Sequence, residues 1–155
     1  PMGRVSHGVR GIKLTGDDYV VGMSVASEGE DLLVVTENGY GKKTSLEEYK
    51  TQTRGGKGVT NYRISDITGK VTGVVVVTEA DDIMLITSEG IIIRMKTSEI
   101  SRIGRLTKGV RLMRLADGVS VVSLAKTDEE DEDDFDESEE SVENSEGSEE
   151  TPAEE

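Results

Sequence analysis

The sequence contains no cysteine, one histidine and only 3% aromatic residues across 155 positions. Without thiols there is no disulfide framework, no cysteine-ligated zinc and no thiol nucleophile, and a cytoplasmic, reducing setting is expected. The single histidine, His7, occupies a slot that lysines hold elsewhere in the chain, so it reads as a basic contact and not as a general base. With so few aromatics, Tyr40, Tyr49 and Tyr62 form no platform on which single-stranded bases could stack. No apolar run is long enough to cross a bilayer and no basic stretch leads into an apolar one, so neither a membrane span nor a secretory leader is expected.

Positive charge is also missing from one part of the chain. The formal net charge is -14, but residues 1–127 carry 18 Lys and Arg against 15 Asp and Glu, whereas residues 128–155 carry 17 acids and no base. A segment of such low hydrophobicity and strong self-repulsion cannot bury enough apolar area to offset the entropy of ordering. The expected organisation is a folded body over 1–127 and a disordered acidic tail over 128–155. Around Asp131, Asp133 and Asp136 no glycine stands at the turn position of a calcium loop, so no metal site is expected there.

Glycine is abundant, at 18 residues, and the remaining apolar residues are mostly Val, Ile, Leu and Met, which suits short strands joined by turns. Sliding the body on itself reveals a period of about fifty residues. Residues 31–39, DLLVVTENG, lie over residues 82–90, DIMLITSEG, each an apolar strand running into a glycine turn. Residues 4–14, 54–64 and 105–115 share the pattern R-x-x-[KH]-G-V-x-x-x-[KR]-[LI]. A Ser- or Thr-led stretch (45–49, 97–100) precedes the basic element, and a Val-rich strand (19–25, 71–77, 118–125) follows it. These parts predict an all-β array of blades with about four strands each. A blade repeat of this kind also describes protein-interaction propellers, so the fold alone does not decide function.

The bases recur in register. Along a strand alternate residues share a face, which sets Ile93, Met95 and Thr97 against Arg94 and Lys96. The basic elements add Arg4, Arg10 and Lys13, then Arg54, Lys57 and Arg63, then Arg105, Lys108, Arg111 and Arg114, with Lys42 and Lys43 on the strand after the first glycine turn. Gly55, Gly56 and Gly58 would let backbone amides approach phosphate closely. Arranged side by side, such repeats would form a basic track that follows a duplex backbone without reading its sequence. Residues 39–44, GYGKKT, do not form a nucleotide-binding P-loop. That spacing needs glycine at 36 and Ser or Thr at 43, where the chain has Thr36 and Lys43.

Residues 52–58, QTRGGKG, closely resemble the Gln-basic-Arg-Gly-Gly-basic-Gly box of the C-terminal domains of DNA gyrase A, departing at Thr53, where the family carries a base. Residues 1–4, 8–12, 37–44, 48–49 and 97–100 are similar to the same family. The resemblance implies a β-pinwheel, a propeller-like ring of which this chain holds about two and a half blades as a partial ring. It implies double-stranded DNA as partner, wrapped on a basic perimeter, within a type II topoisomerase that introduces negative supercoils with ATP. The family's defining box lies in its first blade, so residues 52–58 correspond to a later copy. Catalytic residues and the ATP and Mg2+ sites of the family match nothing here, so the segment is expected to have no cofactor and no catalytic activity of its own. The expected setting is a cytoplasmic, nucleoid-associated heterotetramer with the rest of gyrase A and with gyrase B. The corresponding polypeptide of topoisomerase IV shares the propeller and is the alternative, but its box is usually degenerate, whereas residues 54–58 keep RGGKG.

A tethered polyanion beside a basic track competes with DNA at an effective concentration on the order of millimolar. Neutralising the acids of 128–155 should therefore tighten duplex binding in a titration at fixed salt. An unchanged affinity would remove the tail from the mechanism.

Overall fold

The computed structural model describes residues 2–127, and the expectation of disorder for 128–155 lies outside the described residues. The apolar strand of each repeat becomes the centre of a sheet. β1 (Asp31–Thr36) and β4 (Asp82–Thr87) are rich in the branched side chains that suit a pleated, covered surface. Each reverses at a glycine with positive φ, Gly39 at 75° and Gly90 at 80°. The glycine N–H donates to the carbonyl of Thr36 or Thr87 at 3.0 or 2.9 Å. The threonine hydroxyl accepts from the first returning N–H, Tyr40 at 3.3 Å and Ile91 at 3.1 Å. The returning strands are β2 (Tyr40–Ser45) and β5 (Ile92–Lys96), followed by single 3-10 turns at Leu46–Glu48 and Thr97–Glu99.

The Val-rich strands β3 (Val71–Val77) and β7 (Val121–Thr127) pair with the opposite sides of β1 and β4. Even the irregularity repeats, with a register shift between Val35 and Thr36 in one sheet and between Ile86 and Thr87 in the other. The fourth strand of the first sheet, β6 (Val110–Arg111), belongs to the following repeat and pairs Arg111 with Tyr40 and Val110 with Gly41. The result is two open antiparallel sheets ordered β3-β1-β2-β6 and β5-β4-β7, in agreement with the all-β, propeller-like expectation.

Two strand expectations change. Residues 19–25 join no ladder: Ser24 Oγ accepts from the Val76 N–H at 3.1 Å, and Gly22 lies against Val74. A strand of this type needs the hairpin that precedes it, and residues 2–18 supply none. The strand expected at 118–125 begins later, because Gly118 takes φ 80° in a turn closed by Val119 N–H on the Ala116 carbonyl at 3.1 Å. Likewise only Val110–Arg111 of the basic elements is a paired strand.

Leu33, Val35 and Val77 of the first sheet, Ile83, Leu85 and Val121 of the second, and Ile100 form one buried cluster, so the core lies between the sheets. The equivalent residues Asp31 and Asp82 begin the central strands, are buried, and are neutralised differently. Arg102 Nε reaches Asp31 Oδ1 at 2.6 Å from the following repeat, whereas Arg94 Nε reaches Asp82 Oδ2 at 2.7 Å from the same hairpin. Removing either arginine would leave a buried carboxylate unpaired.

Close packing on β3 depends on small residues, Gly73 where it meets β7 and Gly22 where residues 19–25 lie against it. A Cβ at Gly73 would lie 2.7 Å from Leu124 Cβ, and one at Gly22 2.8 Å from Val74 Cγ2. Gly73→Val should destabilise the protein by about 1–3 kcal/mol through overpacking, read as a lower urea midpoint. An unchanged midpoint would show that β3 and β7 do not meet at this spacing.

Candidate nucleic-acid interface

The glycine in each basic element is a backbone requirement. Gly8, Gly58 and Gly109 have φ of 73°, 76° and 74°, and among the described residues only glycines have positive φ. At Gly109 space adds a second constraint, since a Cβ would lie 2.6 Å from the Gly41 carbonyl oxygen. The Arg-to-Gly turn therefore has one local shape in three places.

These elements are joined to each other. Lys13 N–H donates to the Gly56 carbonyl at 2.7 Å, and the equivalent Arg63 N–H donates to the Thr107 carbonyl at 3.2 Å. Gly55 N–H donates back to the Gly11 carbonyl at 2.8 Å, with Ile12 and Gly56 forming an isolated parallel bridge. Each basic element thus rests on the turn of the next, so the three form one linked band. Arg4, Arg10, Lys13, Arg54, Lys57, Arg63, Lys108, Arg111 and Arg114 are all exposed along this band. A groove of about 410 Å³ between the β1–β2 turn and residues 111–119 has Arg111 and Arg114 on its wall.

Several of the expected contact residues are engaged by the protein. Lys42 and Lys43 correct the expectation most clearly, being 0% and 1% exposed. They lie on β2, which is held between β1 and β6 and is covered by residues 101–107 of the following repeat. Lys43 N–H donates to the Ser101 carbonyl at 3.0 Å, and Ile103 N–H donates to the Lys43 carbonyl at 2.8 Å. Lys43 Nζ pairs with Glu79 at 2.7 Å. Lys42 Nζ donates to the carbonyls of Asn61 at 2.8 Å and Gly104 at 2.9 Å, to Thr107 Oγ1 at 3.2 Å, and to the Arg105 carbonyl. Burial lowers the Lys42 pKa, the nearby Glu48 carboxylate partly restores it, and Arg105 lowers it further. Arg94 is the partner of Asp82 and Lys96 is exposed on the same strand. The Gly55 amide, expected to face phosphate, is satisfied by Gly11, while Gly58 is exposed.

Two tyrosines hold cations of the third basic element in place. Arg111 Nη2 donates to the Tyr40 hydroxyl at 2.8 Å with its guanidinium 5.4 Å from the ring centre. Arg105 lies 5.8 Å from the Tyr49 ring and donates to the Thr60 carbonyl at 2.9 Å, which leaves it half-buried. Sequence reasoning missed Asn61, Tyr62 and Thr107, which hold the third basic turn from behind, and the exposed Lys50 and Lys70. Among the described residues no group of acids and histidine could hold a metal ion, and no helix is long and apolar enough to cross a membrane.

The family model of the DNA gyrase C-terminal domain, β-propeller, matches residues 1–27, 30–78 and 81–128. DNA gyrase A of Staphylococcus epidermidis is 49% identical over 115 residues, which are 73% of this chain and 13% of that protein. Its counterpart in Salmonella typhimurium is 46% identical over 112 residues, 72% of this chain and 13% of that protein. The chain therefore spans about an eighth of the length of these curated relatives. A solved DNA gyrase A C-terminal domain superposes with a TM-score of 0.60 at 33% identity, over 63% of this chain and 33% of that one. The C-terminal domain of DNA topoisomerase IV gives 0.71 at 28% identity, over 78% and 38%.

Burial pushes the Tyr62 phenol up to about 12, from 10.0. Between those values the unfolded chain has released a proton that the folded chain keeps, so stability falls as pH rises through the window. Tyr62→Phe should cost about 1 kcal/mol near neutral pH, through the lost hydrogen bond to the Lys108 carbonyl, and should flatten the alkaline loss. Urea unfolding near neutral pH and at about pH 11 reads both effects. An equally steep loss in the variant would assign it to other groups.

Proposed function

This chain belongs to the DNA gyrase C-terminal-domain family, and from that premise we propose that it is the last part of the duplex-wrapping domain of a gyrase A protein. The observation that carries this reading is the end-to-end linkage of the three basic turns. Lys13 on Gly56 and Arg63 on Thr107 hold successive sets of exposed cations in one band, so a phosphate backbone can be followed from one repeat to the next. Such contacts neutralise phosphates, release counterions and position DNA without reading its sequence. Duplex fits better than single strand, because Tyr40, Tyr49 and Tyr62 are occupied with Arg111, Arg105 and Lys42 and the exposed Tyr19 by itself makes no platform for successive bases.

In this reading the segment works in the cytoplasm with the rest of gyrase A and with gyrase B. It presents wrapped DNA to catalytic groups elsewhere in a type II topoisomerase that uses ATP and Mg2+ to introduce negative supercoils. The acidic tail restrains the band by competing with DNA. The superposition on the topoisomerase IV domain, at a TM-score of 0.71, favours a second reading as the corresponding part of that enzyme. ATP-dependent introduction of negative supercoils by the holoenzyme separates the two.

Arg54→Ala and Arg111→Ala in the full chain should each weaken duplex binding on every sequence alike and lower the slope of log affinity against log salt by about 0.9. A filter-binding or fluorescence titration across a salt series measures both. A folded chain with no salt-dependent duplex affinity would favour a protein-interaction propeller.

A further inference from the structure

The third basic turn has an unusual support. Five acceptors of this turn and its neighbour, the carbonyls of Asn61, Gly104, Arg105 and, at 3.5 Å, Thr107, with the Thr107 hydroxyl, converge on Lys42 Nζ. The ammonium sits 5.2 Å from the centre of the Tyr62 ring, and the Tyr62 hydroxyl donates to the carbonyl of Lys108. Carbonyls drawn inward at 104, 105 and 108 leave the side chains of Leu106 and Lys108 exposed. An ammonium has three donors and no acceptor, so it suits a concave cluster of carbonyls that a hydroxyl or amide could not fully satisfy. The cost of desolvating a cation is offset only when all of its protons are used in this way.

We propose that Lys42 is a positioning residue for DNA binding: from inside the first sheet it sets the shape of residues 104–109 and so aims Lys108 and Arg111 at the duplex backbone. Lys42 itself touches no DNA. It couples the hairpin of one repeat to the basic turn of the next, as β6 does through the backbone. This rests on the reading of residues 105–114 as a duplex contact.

The test uses the full chain, a plain duplex as probe, and Lys42→Met, which keeps most of the side chain's length and removes the ammonium. Hydrogen exchange should quicken at least about tenfold at the amides of Arg63 and Arg105, which bond the Thr107 carbonyl and Glu48, while the amides of β1 keep their protection. Duplex affinity should fall by about tenfold, with a salt slope lower by about one to two. Lys108→Ala should then add less than about twofold in the Lys42→Met background, although it weakens binding in the parent. A change confined to folding would lower β1 protection together with the turn and leave the Lys108→Ala effect additive.

Unchanged exchange at Arg63 and Arg105 would overturn the proposal, as would faster exchange with unchanged affinity. If Lys42→Met fails to fold, Thr107→Val removes one acceptor from the same cluster and is held to the same criteria. Global unfolding of both would make Lys42 a folding residue and sink the idea. Absence of salt-dependent binding in the unmodified chain is a separate failure, that of the duplex-wrapping reading, and would take this proposal with it.

Discussion

Backbone pairing between one repeat and the next is the interaction on which the rest depends. The outer edge of β2 is completed by two residues, Val110–Arg111, that come from the following repeat. The basic turns are linked in the same direction by Lys13 on Gly56 and Arg63 on Thr107. The first sheet therefore does not satisfy its own outer edge, and pairing that edge fixes the following repeat in position beside it. On the opposite side Gly73 lets β3 approach β7, and Gly22 lets residues 19–25 lie close on β3. Because the outer pairing carries Arg111 and the inner packing carries the core, stability and the placement of surface charge follow from one arrangement.

Charge is divided by partner. Cations on or beside the central hairpins satisfy buried oxygens or pair with acids: Lys42 with the third basic turn, Lys43 with Glu79, Arg94 with Asp82 and Arg102 with Asp31. Cations of the basic elements stay outside, and two of them are fixed by tyrosines. Lys42 and Lys43 are buried, and their desolvation is offset only by full pairing, whereas Arg94 and Arg102 stay partly exposed while covering buried carboxylates. The outer group gains little stability from its surroundings and is left to act on a partner. Adjacent lysines in sequence can thus have duties unlike those of their neighbours a few residues away.

Much of the architecture is legible in the sequence. The offset of 51 between residues 31–39 and 82–90 becomes two matching hairpins with the same threonine-glycine turn, because a positive φ and a short polar side chain are local requirements that sequence states directly. The basic pattern likewise marks three turns of one shape, since only glycine takes φ near 75° without strain. Legibility stops where covering is decided by residues far away. Lys42 and Lys43 look like surface charge in GYGKKT, and nothing local says that residues 101–107 will close over β2. Residues 19–25 look like β3, yet a strand exists only where a partner edge is supplied.

What the sequence by itself determined is therefore the repeat, its turns, the charge division between 1–127 and 128–155, and the family to which the chain belongs. The repeat, its turns and the charge division rest on spacing, φ preference and composition, and the family rests on the resemblance of residues 52–58 and their surroundings, all of them readable along the chain. Only the tertiary structure decided which bases face solvent, which carbonyls they satisfy, and from which repeat each sheet takes its outer strand. Those depend on pairings across about sixty to seventy positions, such as Lys42 with Gly104 and Asp31 with Arg102. A buried ion and an exposed one are the same letter until the chain has folded around one of them.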